Sequence, residues 1–163
     1  MVDQTFTYVT YIESTPEAAW RALTDPLLTA DYWGHSNVSD WRPGSRWEHR
    51  RTDGSGIADV AGTVIEAVPP KRLVMTFGPP QPDPAVEPSV VRFEIMPYRD
   101  IIRLTMTNER IATRNEYEAA EAGWPTVLAN LKTLLETGHT LPQPPWEMHA
   151  EQRAAQMARS NPG

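Results

Sequence analysis

The chain has 163 residues, a formal net charge of -6 and no cysteine. This length suits one domain with its own core, the lack of cysteine excludes disulfides and thiolate chemistry, and the acidic balance disfavours nucleic acid, which needs a basic face. No apolar run approaches the about 20 residues that cross a bilayer. Residues 1–5 lack the features of a signal peptide, so we expect a cytoplasmic protein without membrane insertion.

The chain begins with a predicted strand and two short helices. Residues 5–12 are rich in β-branched and aromatic side chains, which favour a strand. The run Ser14-Thr15-Pro16-Glu17 predicts a helix start, because a hydroxyl caps the first turn and proline suits its first position. Asp25-Pro26 starts a second helix in the same way, and Gly34 ends it.

Six further strands are predicted from alternating apolar and polar residues, over residues 36–41, 46–51, 57–68, 72–77, 89–96 and 101–107. The segment between the fourth and fifth of these, residues 78–88, contains five prolines and is an extended loop. The last two strands form a hairpin, whose inward side chains are Val91, Phe93, Ile95, Ile102, Leu104 and Met106.

A long amphipathic helix closes the pattern. Its apolar stripe consists of Trp124, Val127, Leu128, Leu131, Leu134 and Leu135, and Gly138 is a typical terminator. Proline lacks the backbone donor and clashes inside a helix, so Pro125 predicts that the main helix begins near Gly123. Residues 115–122 then form a separate or kinked helical piece.

The chain changes character after Gly138. Residues 141–145 hold three prolines and form a stiff connector, and residues 146–159 have helix-forming composition. We therefore divide the chain into a domain over residues 1–138 and a carboxy-terminal extension over residues 139–163. The extension either docks on its own domain, clasps a second copy in a homodimer, or stays mobile.

The order of these elements, with four sequence phrases, resembles the START-like (SRPBCC) superfamily. Within it the chain is similar to the branch homologous to the activator of the heat-shock-protein-90 ATPase. The phrases are YIESTPEAAWRALTDP (residues 11–26), YWG (32–34), GTVIEAVPPKRL (62–73) and GWPTVLANLKTLLETG (123–138). With their spacing they cover roughly residues 5–138, most of the chain.

The resemblance implies an α+β helix-grip fold. In this fold an antiparallel sheet of about six or seven strands curves around a long carboxy-terminal helix, and two short helices follow the first strand. Members of the superfamily bind lipids, sterols, polyketides and other hydrophobic molecules between the sheet and the helix, and a few are cyclases. The name of the branch also associates it with the stress response. Function belongs to the site rather than to the fold, so no activity is transferred by name.

The expected ligand is a small hydrophobic or aromatic molecule in a cavity between the sheet and the final helix. Trp41 and Trp47 offer flat indole surfaces with one N–H donor each. His49 has the same strand parity as Trp47, so an inward face brings both rings to the cavity, whereas an outward face leaves His49 at the rim. The other candidate ligand residues are apolar: Met75, Phe77, Phe93, Leu104, Met106, Trp124 and Leu128.

No reaction signature is present, so we assign no catalytic residue, metal or cofactor and favour binding over catalysis. The four histidines lack the spacing of a metal site. The carboxylates of the strand region fit a solvated sheet face. Two alternatives stay open: an enzyme acting on a hydrophobic substrate, with His49 or a cavity carboxylate as acid or base, and an interaction protein that uses its extension.

Overall fold

The computed structural model describes residues 4–160. Seven strands and four helices occur in these residues, and their bounds follow in chain order. They are β1 (Gln4–Ile12), α1 (Pro16–Thr24), α2 (Pro26–Trp33), β2 (His35–Val38), β3 (Arg46–Arg51), β4 (Ala58–Val68), β5 (Arg72–Phe77), β6 (Ser89–Tyr98), β7 (Ile101–Ile111), α3 (Arg114–Thr137) and α4 (Glu147–Ser160).

All seven strands form one antiparallel sheet in the order β1-β7-β6-β5-β4-β3-β2. The chain runs from β2 to β7 as a meander, and β1 pairs with β7, which is the last strand to be added. Helix α3 packs against β1 and β7, and α2 packs against the opposite edge strand, β2. This is the predicted helix-grip fold, with both short helices in their predicted place.

The two short helices begin where their caps predict. Thr15 Oγ1 accepts a hydrogen bond from the Ala18 backbone N–H at 3.1 Å, and Asp25 Oδ1 accepts one from Leu27 at 2.9 Å. A proline occupies the first helical position in both cases. Gly34 ends α2 with a φ of +74°, a left-handed conformation that glycine adopts without steric cost.

Helix α3 corrects the prediction of a start near Gly123. It is one continuous helix of 24 residues that contains Pro125. A strong cap begins it nine residues earlier than predicted: Thr113 Oγ1 accepts from the Glu116 N–H at 3.2 Å, and Glu116 Oε2 accepts from the Ala112 N–H at 3.3 Å. Pro125 removes one backbone hydrogen bond, and packing on the sheet offsets that loss.

Two strand boundaries also differ from the prediction by three residues or more. Strand β2 ends at Val38 rather than at Trp41, because the chain turns sharply there and Trp41 has a φ of +58°. Strand β7 continues four residues beyond Thr107 to Ile111, and this continuation forms part of the site described below.

The main core lies between the inner face of the sheet and α3. The predicted inward side chains of β6 and β7 are buried: Val91, Phe93, Ile95, Ile102, Leu104 and Met106. From α3, Leu128 and Leu131 complete this layer at 1% and 0% exposure. The inward side chains of the strands thus pack against the apolar stripe of α3, as the sequence predicts.

The extension contacts its own domain as far as Trp146. Asn130 Oδ1 on α3 accepts a hydrogen bond from the Leu141 N–H at 2.8 Å. The Trp146 ring lies so close to Gly34 that a Cβ there would stand 2.9 Å from Trp146 Cζ2. Beyond this contact, α4 leaves Met148 and Met157 exposed. Within residues 4–160 no helix combines the length and apolar character that crossing a membrane requires.

Candidate ligand cavity

A cavity of about 430 Å³ lies beside the first half of α3. Its other walls come from the end of β7, the end of α2 and the proline-rich loop between β5 and β6. Its lining is mainly apolar and consists of Trp33, Phe77, Gly78, Pro79, Val86, Pro88, Ile111, Ala112, Ala119, Ala120, Gly123, Trp124 and Val127, with Glu87, Ser89, Asn108, Arg110 and Glu116 as the polar members. The space therefore has an apolar interior with a few polar groups at defined places.

Three aromatic rings form the inner wall of the cavity. The Trp124 ring centroid lies 5.3 Å from that of Trp33 and 5.5 Å from that of Phe77. These separations and the inclined ring planes are typical of favourable aromatic contacts. Each ring comes from a different element, so the wall forms only when α2, β5 and α3 have assembled.

A buried amide fixes the orientation of the central indole. Asn108 is only 5% exposed, and its Oδ1 accepts a hydrogen bond from Trp124 Nε1 at 3.2 Å. Asn108 Nδ2 donates in turn to the Val90 carbonyl at 3.4 Å. A buried polar pair of this kind is costly unless it is satisfied, so the pair holds Trp124 in one position relative to the sheet.

Strand β7 contains a bulge where it reaches the cavity. Phe6 of β1 lies opposite Asn108, and Gln4 lies opposite Ile111, so β7 has one extra residue in this stretch. Arg110 within the bulge has a φ of +60°. The inward alternation of β7 shifts here by one residue, and as a result the adjacent Arg110 and Ile111 both line the cavity.

Two of the ten predicted ligand residues, Phe77 and Trp124, line this cavity. Most of the others fill the core beside or behind it: Trp47, Met75, Phe93, Leu104, Met106 and Leu128 are at most 1% exposed. Trp47 supports Phe77 from behind at a centroid distance of 5.7 Å, and its Nε1 donates to the Thr76 carbonyl at 2.7 Å. Trp41 lies elsewhere, with its Nε1 donating to the Thr24 carbonyl at 3.0 Å.

His49 lies behind the aromatic wall and does not line the cavity. Its ring centroid is 5.0 Å from that of Trp33, and it stacks on His35 at 4.0 Å. His49 Nδ1 is 2.5 Å from Asn37 Oδ1. Burial, together with the neighbouring His35, lowers the pKa of His49 to about 3. A neutral imidazole at this place holds its neighbours in position and does not exchange protons with a molecule in the cavity.

The carboxylates near His49 belong to surface ion pairs. His35 Nε2 lies 2.8 Å from Asp59 Oδ2, and Arg51 Nη2 lies 2.9 Å from Asp59 Oδ1. Hydrogen bonds from Arg51 and then from His35 lower the pKa of Asp59 to about 2. Across residues 4–160 there is no group of three or more histidine, aspartate or glutamate side chains placed to hold a metal ion.

Several cavity residues were not among the sequence candidates. Asn108 and Arg110 follow the predicted end of β7, although Leu104, Met106 and Asn108 continue one alternation. The small residues Ala120 and Gly123 leave the room that the cavity occupies. Their spacing on one helical face was a usable signal, but it is visible only when α3 is taken as one continuous helix.

Comparisons with solved structures identify the same fold in several organisms. A protein of Mesorhizobium loti is 29% identical, with a TM-score of 0.69 over 81% of this chain and 96% of its own. The Aha1 dimer of Colwellia psychrerythraea is 20% identical, with a TM-score of 0.68 over 85% of this chain and 98% of its own. An HSP90 activator of Plasmodium falciparum is 21% identical, with a TM-score of 0.65 over 80% of this chain and 95% of its own.

No curated protein matches the chain. The family model described as "Activator of Hsp90 ATPase homolog 1-like protein" matches residues 13–136. This match spans the region from the first helix cap to the end of α3, and it includes all three aromatic residues of the cavity wall. The chain therefore belongs to the family of Activator of Hsp90 ATPase homolog 1-like proteins.

Proposed function

We propose that the protein binds a small hydrophobic or aromatic molecule in the cavity beside the first half of α3. The observation that carries the proposal is a space of about 430 Å³ with a mainly apolar lining. Ligand pockets range from about 300 to 1,000 Å³ and combine apolar walls with a few placed polar groups. Both properties match this cavity.

The aromatic wall supplies the binding energy in this proposal. A flat ring packed against the wall of Trp33, Phe77 and Trp124 removes apolar area of both partners from water, which contributes about 25 cal/mol per Å². The Asn108–Trp124 hydrogen bond keeps the wall in place before the ligand arrives. A preformed wall costs little entropy on binding, which favours affinity for rigid aromatic molecules.

Titration with the neutral fluorophore N-phenyl-1-naphthylamine tests this proposal. Ala120 faces the cavity and Ala129 faces solvent on the same helix. We expect Ala120→Leu, which fills part of the space, to weaken probe binding about tenfold, whereas Ala129→Leu leaves the affinity within about twofold. Thermal melts of both variants check that α3 still folds. Equal affinity in the three proteins contradicts binding at this site.

Catalysis has less support than binding. The predicted acid or base His49 is buried behind Trp33 and bonded to Asn37, away from the cavity. Of the glutamates that line the cavity, Glu116 is engaged in the cap of α3. We therefore assign no catalytic residue to the cavity.

Self-association through α4 is a second candidate function. Met148 and Met157 are 59% and 71% exposed on this helix, and large exposed apolar side chains are common at interaction surfaces. The relative from Colwellia psychrerythraea is described as a dimer. We expect light scattering to show a dimer for the full chain and a monomer for a chain ending at Trp146, which keeps the Trp146–Gly34 contact. If the full and the shortened chain have the same number of protomers per particle, α4 has no role in self-association.

A cytoplasmic location is part of the proposal. Fractionation of cells that express the chain tests this expectation, and recovery with secreted material contradicts it.

A further inference from the structure

Arg110 is a cation among the few polar residues that line the mainly apolar cavity. Its side chain is exposed to solvent, and the residue lines the space that Trp33 and Trp124 enclose. Among residues 4–160, the Arg110 guanidinium has no carboxylate within ion-pair distance and no side-chain hydrogen bond. Most arginines of the sheet differ in this respect: Arg46, Arg50, Arg51, Arg72 and Arg92 each contact a glutamate or aspartate.

The bulge in the backbone of β7 places Arg110 at the cavity. In a regular strand the alternation after Asn108 would turn either residue 110 or residue 111 inward, but not both. The extra residue in β7 brings both to the cavity, and Arg110 takes up the left-handed conformation, with a φ of +60°. Glycine is the usual residue in that conformation, and backbone outliers and bulges cluster at binding and active sites.

The other charges at the rim leave the guanidinium available. Glu116 is held by the cap of α3, where its Oε2 accepts from the Ala112 N–H at 3.3 Å. Glu87 lies on the exposed proline-rich loop and lines the cavity without pairing with Arg110. A guanidinium offers five N–H donors in a planar fork that matches a carboxylate or another oxyanion.

We infer that the cavity takes an organic anion, with its apolar or aromatic body against Trp33, Phe77 and Trp124 and its anionic head on the Arg110 guanidinium. This inference rests on the proposed function and specifies the class of ligand for the same cavity. The head group stays at the rim, where water still solvates it, so the ligand avoids the cost of burying a charge.

A pair of related fluorophores tests the inference. N-phenyl-1-naphthylamine and 8-anilinonaphthalene-1-sulfonate share an arylaminonaphthalene body, and only the second carries an anionic group. Arg110→Gln removes the cation while keeping a polar side chain. Arg99→Gln is the matched control, because Arg99 is also exposed with a φ of +52°, but it lies in the hairpin at the far end of β7.

We expect Arg110→Gln to weaken binding of the sulfonate about fivefold to tenfold and to change binding of the neutral probe less than about twofold. Added salt should weaken sulfonate binding in the wild-type protein more than in Arg110→Gln, since the charge contact is partly exposed. Arg99→Gln should change neither affinity.

The two proposals fail in different ways. If both probes bind and Ala120→Leu weakens both, but Arg110→Gln leaves the ratio of their affinities unchanged, the anion inference is overturned and the cavity proposal stands. If neither probe responds to Ala120→Leu, the cavity proposal itself fails. Both proposals are supported if Ala120→Leu weakens binding of both probes and if Arg110→Gln, unlike Arg99→Gln, selectively weakens binding of the sulfonate.

Discussion

The two halves of α3 meet the same sheet in different ways. In the second half, Leu128 and Leu131 are buried, and Asn130 Nδ2 donates to the Tyr32 carbonyl at 3.0 Å. In the first half, Ala120 and Gly123 face a cavity of about 430 Å³. The helix and the sheet are continuous across both regions, so the difference comes from side-chain volume.

This difference indicates how one fold holds either a closed core or a binding site. A curved sheet and a long helix leave a groove between them, and leucines fill it at one end of α3. Small residues at the other end leave space, and the aromatic rings of Trp33, Phe77 and Trp124 line that space. Protein interiors are otherwise close-packed, so an unfilled region of this size is a specific feature of the sequence.

The largest expected contrast is in the stability of large-to-small variants. Leu131→Ala removes a fully buried side chain from the closed half and should lower the free energy of unfolding by about 3 kcal/mol. Val127→Ala enlarges a space that already exists and should cost about 1 kcal/mol. Urea denaturation measures both values. Similar losses in the two variants would break the distinction between the cavity-facing and the closely packed parts of α3.

The buried His49 behind the aromatic wall predicts that the stability of the protein depends on pH. The unfolded chain binds a proton at His49 near the ordinary pKa of about 6.5, whereas the folded chain binds it only near a pKa of about 3. Between these values the unfolded state holds more protons, so stability falls as the pH falls, by at most about 1.4 kcal/mol per pH unit. Full stability from this group is present above the unfolded pKa.

Urea denaturation between about pH 5 and pH 7 checks this dependence. This window lies above the pH range in which Asp59 titrates. His49→Gln should flatten the slope of stability against pH. The matched control is His139→Gln, which replaces an exposed histidine away from the aromatic wall. An identical slope in His49→Gln and the wild-type protein would show that His49 takes up its proton without penalty in the folded state.

The smallest expected effect concerns the space beside Gly123. A Cβ added there meets nothing within 4 Å, so Gly123→Ala adds no clash. Alanine favours the helix over glycine by about 0.8 to 1 kcal/mol, and the variant should be more stable by about that amount in thermal or urea unfolding. A destabilised Gly123→Ala protein would mean that the open half is packed more closely than described.

The sequence predicts the fold well because local rules and periodicity specify it. Thr15 and Asp25 mark the two short helices, and the alternation around Phe93 and Leu104 identifies the buried face of the sheet. The predicted start of α3 near Gly123 is wrong, because the local penalty of Pro125 does not end the helix. The cap at Thr113 begins it earlier, and packing on the sheet carries it through Pro125.

The site is less predictable for a physical reason. Periodicity tells which face of a strand is inward, but a void depends on the summed volumes of side chains from separate elements. Met106 and Phe77 are both inward residues of the sheet, yet only Phe77 borders the space. Arg110 reaches the cavity through a bulge, which shifts the alternation on which the prediction depends.

Xenon binding in a crystal of the protein locates the apolar space beside α3, because xenon occupies such space without needing a specific ligand. We expect a xenon site in the cavity, against Trp33, Trp124 and Ala120, and none beside Leu128 or Leu131. Xenon beside the second half of α3, with none against the aromatic wall, would contradict it.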